Sequence, residues 1–309
     1  MQVKKIYQGN SYFSNLELLA KSIVEGYISG LHKSPFHGFS SEFSEHKIYN
    51  NGESTKHIDW KLFAKTDKLY TKRFQDETNL RSHLIIDQSL SMHYPISKSN
   101  IDLEFNKIEF CALASAALLH ILKKQRDAAG LSLYDSKYNF YAPEKGGESH
   151  YRMLVNQLQK SINVKPNKST TKTYEVLHQI AEKLHRRSLV FLFTDLFQNN
   201  IDSTDLFDSI RHLKFNKHEL ILFHVHDKKT EFDFNYDNLP KRFFDVESNS
   251  HIDIFPQNLK KEYNKEVKKY FDFFRLKCLQ YKINYVDVDI RQGFDKILTT
   301  FFEKRHKFL

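Results

Sequence analysis

From residue 81 onward, short apolar runs alternate with longer amphipathic ones, and few folds accept that order. The strand candidates are residues 83–86, 130–134, 189–193, 220–225 and 283–290. The helical candidates are 103–124, 151–161, 174–185, 203–213, 259–282 and 294–306. Strand followed by helix, repeated, predicts an α/β fold: a mostly parallel sheet with helices on both faces. Its crossovers are right-handed, and its ligand-carrying loops gather at the carboxyl edge. Two regions depart from this rhythm. Residues 1–80 show little apolar periodicity before Leu62 and read as an N-terminal extension packed on the core, with residues 81–309 forming the α/β domain. Within the extension, residues 68–74 alternate like an edge strand able to pair with the strand that ends at Asp87. Residues 227–255 read as an insertion, with 243–246 and 251–254 forming a β-hairpin.

Composition narrows the setting. A chain of 309 residues, 40% hydrophobic and 14% aromatic, buries a sizeable core and is not disordered. No apolar run reaches the ~20 residues of a membrane span, and the N-terminus lacks the apolar centre of a signal peptide. The expectation is a cytoplasmic protein with no membrane span. Cys111 and Cys278 lie far apart without any C-x-x-C spacing, so they read as buried thiols rather than a disulfide or zinc pair. The net charge of +9 suits nucleic acid, anionic lipid or an acidic protein surface. Between Pro256 and Lys282 there are eight Lys/Arg against three Asp/Glu. These basic residues interleave with Tyr263, Val267, Tyr270, Phe271, Phe274 and Cys278 at helical spacing, which makes them the solvated face of an amphipathic helix ahead of a nucleic-acid contact.

The chemistry concentrates at two strand ends. The apolar run His83-Leu84-Ile85-Ile86 leads into Asp87-Gln88-Ser89-Leu90-Ser91, so one carboxylate and two hydroxyls leave a buried strand together. Leu189-Val190-Phe191-Leu192-Phe193 leads likewise into Thr194-Asp195. Between them lies Lys168-Ser169-Thr170-Thr171-Lys172-Thr173, a hydroxyl-rich loop before a helix. If the two strands are neighbours, Asp87, Ser89, Ser91, a loop threonine and Asp195 converge. Such an oxygen set suits Mg²⁺ or Mn²⁺ rather than zinc. Three neutral hydroxyls and at most two carboxylates leave the ion short of ligands and ready to accept an outside carboxylate, which suits adhesion better than hydrolysis. The competing explanation is local: the loop residues could cap the following helix, and Asp195 could cap a turn.

These motifs resemble the metal-ion-dependent adhesion site of von Willebrand factor type A domains, which are Rossmann-like. The flanks resemble the bacterial DUF58 family from about residue 35 onward: Glu42-Phe43-Ser44-Glu45-His46-Lys47-Ile48-Tyr49-Asn50-Asn51-Gly52-Glu53, Lys56-His57-Ile58-Asp59-Trp60, Phe63-Ala64-Lys65-Thr66-Asp67, Asp127-Ala128-Ala129-Gly130-Leu131, Arg186-Arg187-Ser188 and residues 298–305. The resemblance implies a type A-like domain with an N-terminal extension, often associated with MoxR-type AAA+ ATPases. Aligning residues 174–184 with the family pattern places the loop ligand at Thr171. Many relatives carry Gly-Asp-Asp and an arginine ahead of the Ile-Asp-Trp element, where Glu53, Ser54 and Lys56 stand here.

The resulting expectation is a non-enzymatic Mg²⁺-dependent adaptor in protein assembly or maturation, holding its ion through Asp87, Ser89, Ser91, Thr171 and Asp195. Its partner donates a carboxylate and is expected to be a MoxR-type AAA+ ATPase. The rival readings are a Mg²⁺-dependent hydrolase or phosphotransferase in the same pocket, for which His93 is the nearby base, and nucleic-acid binding through the basic helix over residues 260–282. His224-Val225-His226-Asp227 sets two histidines on one strand face, but without an evident third ligand they read as structural. Gly146-Gly147 is a turn and not a phosphate loop.

Overall fold

A computed structural model describes residues 15–31, 43–49, 58–74, 80–95, 105–135, 137–163, 173–196, 203–244 and 250–308. The chain divides into two compact units, Ser29–Asn79 and the larger Met1–Ile28 with Leu80–Phe308.

Helix α1 (Leu16–Leu31) opens the described chain, and as far as Ile28 it groups with the larger unit. Asn15 caps it by accepting from the Leu18 amide at 3.1 Å. Its buried face is Leu16, Ala20, Ile23 and Val24, a stripe at helical spacing that corrects the expectation of little periodicity before Leu62. The smaller unit contains β1 (Phe43–Ile48), α2 (Trp60–Thr66) and β2 (Tyr70–Phe74). Asp59 starts α2 by accepting from the amides of Lys61 and Leu62 at 3.0 and 3.1 Å. Residues 70–74 are a strand, as their alternation predicts, but their partner is different. β2 pairs antiparallel with β1, aligning Tyr70 with Ile48. The strand ending at Asp87 has no side to offer, because both are taken within its own sheet.

The larger unit continues with β3 (Arg81–Asp87), α3 (Lys107–Lys124), β4 (Ala128–Tyr134), β5 (Tyr138–Lys145), α4 (Glu148–Ile162), α5 (Thr173–Lys183) and β6 (Leu189–Thr194). It closes with α6 (Ser203–Lys214), β7 (Glu219–His226), the hairpin β8 (Lys241–Phe244) and β9 (His251–Ile254), α7 (Pro256–Gln280), β10 (Asn284–Asp289) and α8 (Asp295–Phe308). The six-stranded sheet runs β10-β7-β6-β3-β4-β5, parallel except for β5. Each central strand is buried on both sides. Leu84 and Ile86 join the core beneath α1, α3, α4 and α8, whereas Ile85 joins the core beneath α5, α6 and α7. That two-sided burial explains why these strands read as continuous apolar runs. A hairpin is present as β8 and β9, with Phe243 opposite Ile252; its second strand has the expected bounds 251–254, while the first spans Lys241–Phe244 rather than 243–246, of which residues 245 and 246 lie outside the described residues.

The chain leaves β3 toward β4 on one side and returns to β6 on the other. β3 and β6 therefore flank the switch point, where the crevice at the carboxyl edge of an open sheet opens. Among the described residues, no helix is long and apolar enough to cross a membrane. Cys111 and Cys278 are buried, free thiols in the two opposite cores. Lys261, Lys265, Lys268 and Lys269 of α7 are exposed, whereas Phe271, Phe274 and Cys278 are among its buried residues.

Candidate metal centre at the switch point

Asp87 is the last residue of β3, and its carboxylate is fixed from both ends. Oδ1 accepts from the Ser89 amide at 2.8 Å, and Oδ2 accepts from the Thr194 hydroxyl at 2.8 Å. The first bond turns the chain sharply out of the strand. The second ties β3 to β6. The Ser89 and Ser91 hydroxyls then face each other at 3.1 Å as the chain enters a single 3₁₀ turn. Beyond Thr194, its hydroxyl oxygen also accepts from the Leu196 amide at 3.2 Å, and the Leu196 carbonyl accepts from Tyr270 at 2.8 Å. Leu196 has a φ of 57° within this brace. Asp195 is buried between Thr194 and Leu196, next to Asp87.

Asp87, Ser89, Ser91 and Asp195 thus gather at adjacent strand ends, in the order the sequence predicts. Thr171 lies outside the described residues. Two residues of the site were not anticipated. Lys107 opens α3, a helix otherwise lined with alanine, leucine and isoleucine on nearly every side, and it is fully buried. Its ammonium donates to Asp195 Oδ2 at 2.8 Å and to Glu231 Oε1 at 2.6 Å. Glu231 comes from the π-helical turn Lys228–Phe232, and its other oxygen accepts from the Asp227 amide at 2.6 Å. A charge inside a helix that is apolar all round is a sequence signal for such a buried pair. Glu231 carries no comparable signal, because it sits in a polar connection.

The charges do not balance. Among the described residues, buried Asp87 and Asp195 and partly buried Glu231 set three carboxylates about one ammonium. Burial, reinforced by the Asp195 charge, pushes the Asp87 carboxyl up to about 6 despite its hydrogen bonds from Ser89 and Thr194. Burial also raises Glu231, against the pull of Lys107. For Lys107 itself burial works against the charge, yet Asp195 and then Glu231 outweigh it and hold the ammonium above its usual range. Counted over the described residues with every carboxylate ionised, the cluster carries two negative charges in excess, which is what one divalent cation neutralises. The buried Tyr134 hydroxyl stands beside Asp87 and Thr194 and, among the described residues, completes no well-formed hydrogen bond with either. A water on a hydrated cation would satisfy it. The donors are all hard oxygens, so the residues fit Mg²⁺ in type and in charge.

The same edge carries a second bracing set. Arg291 donates through Nε and Nη2 to the two oxygens of Asp227 at 2.6 and 3.0 Å, and Thr230 donates to Asp227 Oδ2 at 2.7 Å. This fork fixes the turn that presents Glu231.

Residues 45–270 match the family described as protein of unknown function DUF58. The chain belongs to the DUF58 family. It is 21% identical over 140 residues to uncharacterized proteins from Mycobacterium tuberculosis and Mycobacterium bovis, a match covering 45% of this chain and 42% of theirs. The chain therefore spans less than half the length of those relatives in the match. Among solved structures it is similar to the conserved hypothetical protein BatB from Bacteroides thetaiotaomicron, with 14% identity, 74% of this chain and 99% of that one covered, and a TM-score of 0.43. It is also similar to the PilB minor pilin from Streptococcus sanguinis, with 8% identity, coverage of 78% and 64%, and a TM-score of 0.42. Several stretches of the DUF58 pattern have evident structural work. Asp127 accepts from the Leu80 amide at 3.1 Å and pairs with Arg305, while Gly130 leaves room for His83.

Proposed function

We propose that this DUF58 protein is a Mg²⁺-dependent protein–protein interaction module of von Willebrand factor type A-like design. Asp87, Ser89, Ser91 and Asp195, with Thr171 from the loop before α5, hold the ion directly or through water. A glutamate or aspartate of a partner completes its coordination. The observation that carries this reading is the gathering at the switch point, among the described residues, of Asp87, Asp195 and partly buried Glu231 about the Lys107 ammonium, with the Asp87 carboxyl pushed up to about 6. A net charge of +9 over the chain would steer an acidic partner toward it. The resemblance to DUF58 makes a MoxR-type AAA+ ATPase the partner of choice, with this protein selecting or adapting substrates for assembly or maturation in the cytoplasm.

An adaptor is favoured over a hydrolase by how the carboxylates are engaged. Asp195 and Glu231 both hold Lys107, and Asp87 accepts from two donors. A bound cation would bring the raised basicity of Asp87 back down, leaving it a ligand rather than a general base.

The test is thermal unfolding with and without Mg²⁺ for wild type and Asp87→Ala. An ion present at about 100 times its Kd stabilises by about 2.7 kcal/mol, so wild type should gain several degrees and the variant none. An unchanged wild-type Tm at millimolar Mg²⁺ sinks the metal site. If the shift appears, pull-down of the AAA+ ATPase with and without chelator tests the partner.

A further inference from the structure

The sequence leaves His224 and His226 as a pair without a third ligand, and the fold supplies one. β10 runs parallel to β7 with Asp287 opposite His224 and Asp289 opposite His226. Tyr285 and Asp287 therefore face the same side of the sheet as the two histidines, although some 60 residues of chain, including the whole of α7, separate the two strands. One nitrogen from each imidazole and an oxygen of Asp287 lie within 4.8 Å of one another. His226 Nε2 stands 2.6 Å from Asp287 Oδ1, and His224 Nδ1 stands 3.9 Å from the same oxygen. The Tyr285 hydroxyl reaches His224 Nδ1 at 2.5 Å.

From this geometry we infer a second, independent metal site: His224, His226 and Asp287 bind a zinc-class transition-metal ion between β7 and the edge strand β10. Ligands on a tetrahedron with ~2.0–2.1 Å bonds stand about 3.3 Å apart. The 2.6 and 3.9 Å separations straddle that value, so a shift of the carboxylate would even them about an ion. Asp287 is the side chain free to make it. Its carboxylate is partly exposed, whereas both histidines are buried, so the ion enters from the Asp287 side. Two imidazoles and one carboxylate make a borderline donor set that selects zinc over magnesium. The fourth position falls to water or to the Tyr285 hydroxyl.

Ordinary packing does not account for these histidines. Phe232 and Phe271 stand against the His224 ring, with centroids at 5.7 and 4.3 Å, so an apolar side chain would fill the same space. Their polar contacts converge on one spot instead. His224 Nδ1 meets the Tyr285 hydroxyl at 2.5 Å and His226 Nε2 meets Asp287 at 2.6 Å, and these two nitrogens are the ones an ion beside Asp287 would take. A cation there replaces hydrogen bonds with coordination to the same atoms. The ion would clip the edge strand to the sheet.

The experiment is zinc titration into the chelator-treated full chain, followed by calorimetry and thermal unfolding, for wild type, Asp287→Asn, His226→Gln and Asp87→Ala. Wild type should bind about one zinc per chain at this site and unfold several degrees higher. Asp287→Asn, in a partly exposed position, should stay folded and bind at least tenfold more weakly, as should His226→Gln. Asp87→Ala should bind zinc like wild type, which separates this site from the one at the switch point. Cobalt supplies a direct readout: wild type should give the intense visible bands of a tetrahedral ion, and His226→Gln should lose them. The inference is overturned if folded wild type takes up no zinc, or if Asp287→Asn and His226→Gln bind it as tightly as wild type. Retention of the cobalt bands in His226→Gln overturns it as well.

Discussion

Lys107 is the residue on which the switch-point site turns. Removing it would strand Asp195 and Glu231 in a buried place without their common partner. Lys107→Met should therefore lower stability by about 3–5 kcal/mol in chelator, measured by urea unfolding, with part of the loss restored by Mg²⁺. Asp87 gives the pH dependence. Its carboxyl ordinarily titrates near 3.8 and is raised to about 6 in the fold, so the fold favours the protonated form. The associated stability is fully present below 3.8 and is lost as pH rises through 6. Mg²⁺ binds the ionised form, so its effect on Tm should be small at about pH 5 and large at about pH 8. Equal shifts at both would argue that Asp87 is not a ligand. Asp87, Ser89, Ser91 and Asp195 were legible as a group because they follow on the apolar strands β3 and β6, which fixes where they leave the sheet. Glu231 was not, since a glutamate in a polar connection reads as solvent-facing until a fold buries it, and Lys107 carried only the apolar character of its helix as a sign.

At the level of elements, the strands legible in sequence are those buried on both faces. β5 escaped notice because it is an antiparallel edge strand interrupted by Pro143, and its burial is only partial. Yet it completes a buried pair: His83 on β3 meets Glu144 on β5 at 2.6 Å and Ser132 on β4 at 2.7 Å. Burial alone would raise Glu144, but the hydrogen bond and charge of His83 hold it below its usual range. Gly130, next to this pair on β4, is there for space. A Cβ at that position would stand 2.4 Å from His83 Nδ1 and 2.9 Å from the Ala142 carbonyl oxygen. Gly130→Ala should cost about 1–3 kcal/mol in thermal or urea unfolding. A neutral outcome would mean that His83 moves freely, contrary to its two short bonds. α1 was missed for a different reason: Glu17, Lys21, Glu25 and Gly26 dilute a face whose buried members are few.

Across the whole molecule, distant parts of the chain are tied by buried charge. Arg305 on α8 pairs with buried Asp127 ahead of β4, and Lys304 reaches Glu219 at the start of β7 at 2.8 Å. Arg305→Ala should lower the urea midpoint by the equivalent of about 2–4 kcal/mol with the m-value unchanged, because the folded area stays the same. The α/β class was legible because periodicity is local, but the closure between chain ends was not. The Tyr27 hydroxyl on α1 bonds Thr299 on α8 at 2.8 Å across 272 positions of sequence, and its ring stacks on Phe302. That closure sets a timetable for biogenesis. While the chain is being synthesised, α1 emerges well before the surfaces of α3, α4 and α8 that it packs on, and α8 is the last of the three. Meanwhile α3, apolar on nearly all sides, is exposed to its neighbours. A nascent chain of this topology folds late, and a cell making it depends on holding that helix out of contact until the final turn arrives.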